Sequence, residues 1–402
     1  KKGFQLRKNN LSKNPIAMGA FIVAGHAIKH FLNSGFFILL PSLKIGLDLS
    51  NTQIGLMSSA RSLGGGLANL PAGFVGDRYQ YGAPIILGSS IFSVGLMYSV
   101  IGSVNNLWIV ILAAVGISIG ITFYHPAAIS TLSKAFPDRK GFAISIHGTG
   151  GSIGEALGPL LTGTLLAYVV WTTAFNTFGI IGMLSGIFLG LLLWNSNIPI
   201  ANVSTFKSYI ISAYRLVINP KMLAVLVVVA LYGSNQITVM TFFPIYLQTE
   251  LNYSPSSMSF FVFASQIAGI ISQPLMGLIS DKYGRWHVLL PAFLILGATS
   301  FFLGIVGDGL PLLILVIVMG IVLFPIMAIL IASAIDIAGS EVQATVVSIV
   351  FGTSVLISAS SPYVSGLIAD EFGLGATFQF AGMLSIIATL LIGIKWKSYN
   401  SV

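Results

Sequence analysis

GLISDKYGRW (277–286) sets an aspartate, a lysine and an arginine between two long apolar runs. Its outline recurs 204 residues earlier as GFVGDRYQYG (73–82). The correspondence extends on both sides. LSNTQIGLMSSA (49–60) answers to NYSPSSMSFFVFA (252–264), and DRKGFAISI (138–146) to EVQATVVSI (341–349) at an offset of 203. Pro159 then falls on Pro362, and Gly163 on Gly366. Two unrelated apolar halves would not share polar and proline punctuation at a nearly fixed offset. The chain therefore reads as a duplicated unit: two helical bundles around a central site, which rocking of one bundle against the other opens to each side in turn.

The medium around those bundles follows from composition. Of 402 residues, 55% are hydrophobic and 7% charged, with a mean hydropathy of +0.93. A soluble domain carries about 25% charged residues, so most of this surface faces lipid. A bilayer core needs roughly 20 apolar residues per helix. Runs of that length lie near 16–42, 52–76, 82–103, 107–133, 140–169, 172–194, 220–248, 256–280, 287–307, 310–335, 342–369 and 374–396. The expected fold is an all-α membrane protein of twelve transmembrane helices in two pseudo-symmetric six-helix bundles, 1–194 and 220–402, joined by a cytoplasmic linker at 195–219. Alternating ten-residue strands of a membrane barrel are absent. With no cysteine, disulfides and thiolate metal sites are excluded. The net charge of +8 forms no basic face interleaved with aromatics, which argues against nucleic acid as a partner. The basic start, KKGFQLRKNNLSKNP, runs into a full-length span with no small-residue cleavage site, so no signal peptide is expected.

Orientation follows from lysine and arginine. Lys1, Lys2, Arg7, Lys8, Lys13, Arg78, Lys134, Arg139, Lys140, Lys207, Arg215, Lys221, Lys282, Arg285, Lys395 and Lys397 all fall on one side of the twelve-span arrangement. The opposite loops hold Lys44 among the bases, with Asp48, Glu250, Asp308, Asp370 and Glu371. Both termini are expected to be cytoplasmic, in a bacterial inner membrane.

At GFVGDRYQYG and GLISDKYGRW the chain resembles the major facilitator superfamily, whose signature between the second and third helices has the form G-x-x-x-D-[RK]-x-G-[RK]. The second copy fits at Gly277, Asp281, Lys282, Gly284 and Arg285; the first departs at Gln80, where the glycine belongs. The resemblance implies the major facilitator fold, a monomer, and gating roles for Asp77, Arg78, Asp281, Lys282 and Arg285. Physically, a carboxylate at a helix end can hold a base or a facing helix N-terminus, and a glycine lets helices approach. GGSIGEALGPLLTG (150–163) carries Gly154, Gly158, Pro159 and Gly163 in the GxxxGPxxxG pattern, which looks like the fifth-helix motif of antiporters in this superfamily. HFLNSGFFILLPSLKIGLDLSNTQIGL (30–56) and GITFYHPAAIS (120–130) resemble the fosmidomycin-resistance-like branch of bacterial efflux proteins, with His125-Pro126 the most specific element. Many proton-coupled members carry an arginine early in helix four; this chain has Ile111 and Leu112 there.

Ionisable groups within spans cost roughly 2.5–3.5 kcal/mol each on insertion scales, so they are functional suspects. The first half supplies His26, Lys29, His30, Arg61, His125, His147 and Glu155; the second supplies uncharged Tyr232, Asn235, Gln236, Tyr246 and Gln266. At about 1.5 Å per residue, Lys29, Arg61 and Glu155 all lie about 20–22 Å from the cytoplasmic ends of their helices, close to the bilayer middle. His26, Lys29, His30 and Asn33 share one face of helix one. Glu155 is tolerable if Lys29 or Arg61 neutralises it across a polar cavity, with the neighbouring glycines keeping the backbone thin. Lys29, His30, Asn33, Arg61, Tyr124, Tyr232, Asn235 and Gln236 are the candidate substrate contacts, with packing the other role open to Tyr124. Glu155, His125 and His26 are the candidate proton-coupling groups. A permanent salt bridge that only locks helices is the alternative for Glu155. His147, near the cytoplasmic end, reads as structural, and Asp336 and Glu341 as a gate pair or a solvated face.

The favoured function is export of a small polar or anionic molecule against inward proton flow, with the proton gradient as driving force and no cofactor. An uptake symporter or a uniporter for a small organic anion uses the same bases. A membrane-embedded enzyme lacks support: there is no HExxH, GxSxG, paired carboxylates or phosphate-binding glycine loop. His125, His147 and Glu155 do not follow a known metal-ligand spacing, so no metal is expected.

Overall fold

The computed structural model describes residues 14–78, 83–194, 211, 214–338 and 343–399. Every regular element among them is helical: α1 (Pro15–Gly46), α2 (Asn51–Arg78), α3 (Ala83–Ser103), α4 (Leu107–Ala135), α5 (Lys140–Leu166), α6 (Trp171–Leu193), α7 (Pro220–Thr249), α8 (Pro255–Tyr283), α9 (Arg285–Phe302), α10 (Leu310–Ala338), α11 (Gln343–Ser358), α12 (Ser361–Phe372) and α13 (Leu374–Tyr399), with one 3₁₀ turn at Pro137–Arg139. Ten segments are long and apolar enough to cross a membrane, α11 and α12 together making one of them. α2 and α5, at 28 and 27 residues, match the others in length and complete twelve spans among the described residues. Their glycines, serines and ionisable groups lower their hydropathy. Lys1, Lys2, Arg7, Lys8, Lys13, Lys207, Glu341 and most of the expected linker lie outside the described residues, as do the side chains of Asp77, Arg78, Lys140, Lys395 and Lys397.

Local chemistry sets the helix ends. Asn106 caps α4, its side-chain oxygen accepting from the N–H of Trp108 at 3.0 Å and of Ile109 at 3.2 Å. Asn219 and Ser254 cap α7 and α8 in the same way, each followed by a proline at the first helical position, where its missing N–H is no loss. The expected eleventh span breaks at Ala359–Ser360, because Pro362 cannot donate to a continuing helix. Its repeat mate Pro159 sits inside α5 without ending it. The signature glycines serve a need other than close approach. A Cβ added at Gly277 would meet nothing within 4 Å, whereas Gly284 has φ of 94°, which a side chain would strain, and there α8 stops and α9 starts.

The chain divides into two compact units. The first takes Lys1–Gly35, Ala68–Gly158 and Thr172–Ser204; the second takes Phe36–Leu67, Pro159–Trp171 and Thr205–Val402. In the first, α3 and α6 meet backbone to backbone. A Cβ on Gly95 would strike the backbone of Gly179, Gly182 and Met183, and one on Gly88 that of Gly186 and Gly190. Small residues at a helix contact allow the dispersion that drives packing in lipid, where no hydrophobic force acts between helices.

In the second unit, the start of α2 is tied to α12. Asp370 accepts from the N–H of Asn51 at 2.9 Å and of Thr52 at 2.8 Å, satisfying two of the four orphan donors of α2 with a charge of favourable sign. One turn on, a Cβ on Gly55 would overlap the Pro362 carbonyl, and two turns on, Ser59 Oγ accepts from the N–H of Tyr363 at 3.0 Å. A cap of this kind contributes about 0.5–2 kcal/mol. The natural chain has no cysteine, so one introduced at the buried Ser58 reports opening of this contact. In that background Asp370→Ala should raise the rate of maleimide labelling about two- to thirtyfold. An unchanged rate would show that the cap does not hold α2 and α12 together.

Candidate functional site

The first unit gathers ionisable side chains from α1, α4 and α5. The glycines of α5 set the register. A Cβ on Gly150 would strike Val23, one on Gly151 the rings of His26 and His30, one on Gly154 the Ala27 carbonyl, and one on Gly158 the Phe31 carbonyl and Ser34 Oγ. Four-residue steps on α5 thus match four-residue steps on α1, with the two helices parallel and nearly touching. This register carries Glu155 to His30. One carboxylate oxygen lies 3.3 Å from His30 Nδ1.

The Lys29 side chain is 1% exposed. Its Nζ donates to His125 Nε2 at 2.5 Å, so His125 carries its own proton on Nδ1 in this pair. Glu155 therefore pairs directly with His30, while Lys29 is held by α4; the two charges still attract one another across the cluster. His26 Nδ1 donates to the His147 carbonyl at 2.7 Å, and the two rings stack at 3.6 Å between centroids. The His26 ring also meets His30 edge-on at 4.6 Å and His125 at 4.8 Å. Tyr124 closes one side. Its hydroxyl donates to the Ile22 carbonyl at 2.7 Å, which gives it a packing role. Asn33 lies half-buried one turn beyond His30.

The cluster has a closed and an open end. Lys29, His26 and His147 are buried, whereas the Glu155 side chain is 34% exposed. At 100° per residue, Glu155 lies about 160–180° around α5 from the exposed apolar stripe of Ile146, Ile153 and Leu157. Its own side of the helix shows Ser145, Gly148 and Ser152. Apart from Ile144 near the start of α5, the exposed residues on this side are polar or glycine, and a polar stripe opposite an apolar one suits water, not acyl chains.

Arg61 belongs to the second unit. It is buried, with its guanidinium carbon 4.6 Å from the Phe36 ring centroid and 5.2 Å from that of Phe37, both within cation–π range. In the same unit the Tyr232 hydroxyl donates to the Leu323 carbonyl at 2.8 Å. Asn235 Nδ2 donates to Ser300 Oγ at 3.0 Å and to the Ala381 carbonyl at 2.8 Å. Both side chains are fully buried, and these bonds tie α7 to its neighbours; Gln236, one position on, is half-buried. Arg285 joins Asp281 on α8 to Asp336 on α10, with Nε to Asp336 Oδ2 at 3.0 Å and Nη1 also donating to Ser280 Oγ at 2.9 Å. Asp336 is thus one of a pair and not a plain solvated acid. Lys282 Nζ lies over the Tyr283 ring at 5.1 Å.

His147 is the member of the cluster that sequence reasoning set aside. Its position four residues before Gly151, on the glycine face of α5, was the available signal.

The family model described as Major Facilitator Superfamily matches the chain at residues 22–248 and 225–398. The chain is 24% identical to the fosmidomycin resistance protein of Escherichia coli (strain K12), over 92% of this chain and 91% of that protein. It is also 24% identical to the hexuronate transporter of Bacillus subtilis (strain 168), over 95% and 94%. Its fold is similar to that of a bacterial homologue of the human lysosomal transporter Spinster in an inward-facing, unoccupied conformation, with a TM-score of 0.81 and 15% identity over 94% of this chain and 96% of that one. It is similar also to the nucleoside transporter NupG, with a TM-score of 0.78 and 13% identity over 94% and 99%.

Proposed function

We propose that this chain, which belongs to the Major Facilitator Superfamily, exports a small anionic or polar molecule in exchange for protons, with the α1–α4–α5 cluster as its coupling centre. It is a multi-pass membrane protein and a secondary transporter, not an enzyme. The observation that carries the proposal is the pairing of half-exposed Glu155 with His30 beside a fully buried Lys29 held by His125.

The chemistry follows from charge balance. With Glu155 ionised, the cluster holds one carboxylate against one ammonium, and burial of Lys29 is compensated. A proton taken up by Glu155 removes that compensation and frees His30 to donate elsewhere. The uncompensated ammonium then favours an anionic group of the substrate at the same place. Loss of the proton restores the internal attraction and expels the anion. An anion and the proton thus bind this centre together, the linkage of the uptake symport reading, whereas a polar group that pairs with ionised Glu155 competes with the proton, the linkage that exchange requires. His125 and His26 lie within ring contact of this pair and complete a path for the proton. Lys29, His30 and Asn33 present the first unit's substrate contacts. Asp77, Arg78, Asp281, Lys282 and Arg285 serve the gate. The protein works as a monomer in a bacterial inner membrane with both termini cytoplasmic, driven by the proton gradient without a cofactor.

Export is supported by the name of the resistance-protein relative and by the glycine motif of α5. The hexuronate transporter, whose named substrate is a carboxylate, supports an acidic substrate. A thermal-shift screen of the purified protein against anionic, neutral and cationic metabolites tests the site. Anions should stabilise the wild type, and Lys29→Ala should abolish the shift. Stabilisation by neutral or cationic compounds alone, unaffected by Lys29→Ala, would refute an anion site here. Vesicles under an imposed pH gradient then decide the direction.

A further inference from the structure

We propose that His26, His125 and His147 form a binding site for one divalent transition-metal ion of borderline character, such as zinc, nickel or cobalt. Their ligating nitrogens, one per ring and each from a different helix, all lie within 4.8 Å of one another. Neutral imidazole nitrogens suit these ions in preference to magnesium or calcium.

The site has the outer shell that metal-bound imidazoles require. His26 donates Nδ1–H to a backbone carbonyl, which fixes its tautomer and leaves the lone pair on Nε2. That Nε2 is buried and has no hydrogen-bond partner; neither has either ring nitrogen of His147. Three unpartnered ring nitrogens in a buried pocket, two bearing lone pairs and one, on neutral His147, an N–H, are costly unless something arrives to use them. His30 stands beside the three with its Nδ1 toward Glu155, a carboxylate–imidazole pair of the kind that orients a further ligand.

Nitrogens around a tetrahedral ion with bonds of 2.0–2.1 Å sit about 3.3 Å apart. The present spread exceeds this by roughly the reach of one ring rotation. His147, held by no ring hydrogen bond, is the residue placed to make that rotation, which would unstack it from His26. One cation is already close. The Lys29 ammonium occupies the His125 lone pair, so a metal ion competes with it. This competition sets the expected effect of Lys29: its removal should tighten metal binding, the opposite of its effect on an anion.

The test uses the full chain, purified in detergent with any polyhistidine tag removed, and reads binding without transport. Equilibrium dialysis against zinc should give one ion per chain, and cobalt should give the visible absorption of a four-coordinate site. His26→Gln or His147→Gln should weaken binding at least about tenfold, Lys29→Met should strengthen it, and His287→Gln, outside the cluster, should change nothing. Because a cluster variant can fail to fold, zinc should also raise the melting temperature of the wild type and not that of whichever glutamine variant remains folded. No binding by the wild type, or binding retained undiminished in folded His147→Gln, overturns the proposal.

Discussion

Glu155→Gln is expected to abolish transport driven by a pH gradient while leaving substrate exchange across the membrane intact. One pH unit is worth about 1.4 kcal/mol, so a transporter exchanging one proton per substrate sustains about a tenfold substrate ratio for each unit imposed. Glutamine keeps the shape of glutamate but cannot gain or lose the proton, so the whole of that ratio is lost. Binding and reorientation need no proton, so counterflow between labelled and unlabelled substrate should persist. The same substitution leaves Lys29 without its electrostatic partner, so substrate affinity should become independent of pH in the range where the wild type varies. Vesicle flux with and without a gradient, compared with counterflow in the same preparation, makes the measurement. Retention of the full gradient-driven ratio in the glutamine variant would remove Glu155 from the coupling path. Loss of counterflow as well would assign it to binding or to helix locking instead.

The register of α1 against α5 explains why the twelve spans were legible in the sequence and the pairings were not. Span positions depend on apolar run length and on local punctuation, both printed in the chain. Asn106, the Asn219-Pro220 pair and the Ser254-Pro255 pair mark helix starts within a residue or so of where they form. Partner choice depends also on azimuth and on which helix lies alongside. Counting residues from the cytoplasmic ends places Lys29, Arg61 and Glu155 at one height, and height alone offers Glu155 either base. The contact of Gly154 with Ala27 turns Glu155 toward His30, and His125 on α4 takes Lys29. His147 was set aside on the same ground of height, although its ring lies flat on His26. Tyr232 and Asn235 show the converse. Polarity within a span marks them as unusual, but their hydrogen bonds run inward to Leu323, Ser300 and Ala381. The link from Asp370 to the start of α2 joins residues more than 300 positions apart, and no local pattern announces it.

Gly154→Ala is expected to be the most damaging single-methyl change in the first unit. The added Cβ would fall on the Ala27 carbonyl, with the Ala27 carbonyl carbon 2.7 Å and Cα 2.9 Å away. Each of these is backbone, so no rotamer change relieves the overlap; α1 and α5 must move apart. Overpacking of this kind costs about 1–3 kcal/mol, and more where the contact cannot yield. Gly148 on the same helix provides the control. A Cβ there would meet nothing within 4 Å, and alanine in place of a helical glycine contributes about 1 kcal/mol of helix propensity. The two variants should therefore move the melting temperature in opposite directions, Gly154→Ala down and Gly148→Ala up or unchanged. The functional consequence follows from the same geometry. Separation of α1 from α5 parts His30 from Glu155 and His26 from the His147 carbonyl, so folded Gly154→Ala should also lose the gradient-driven substrate ratio that Glu155→Gln loses. Equal melting temperatures for the two alanine variants would mean that α1 and α5 are not in backbone contact, and the account of how Glu155 reaches His30 would fail with it.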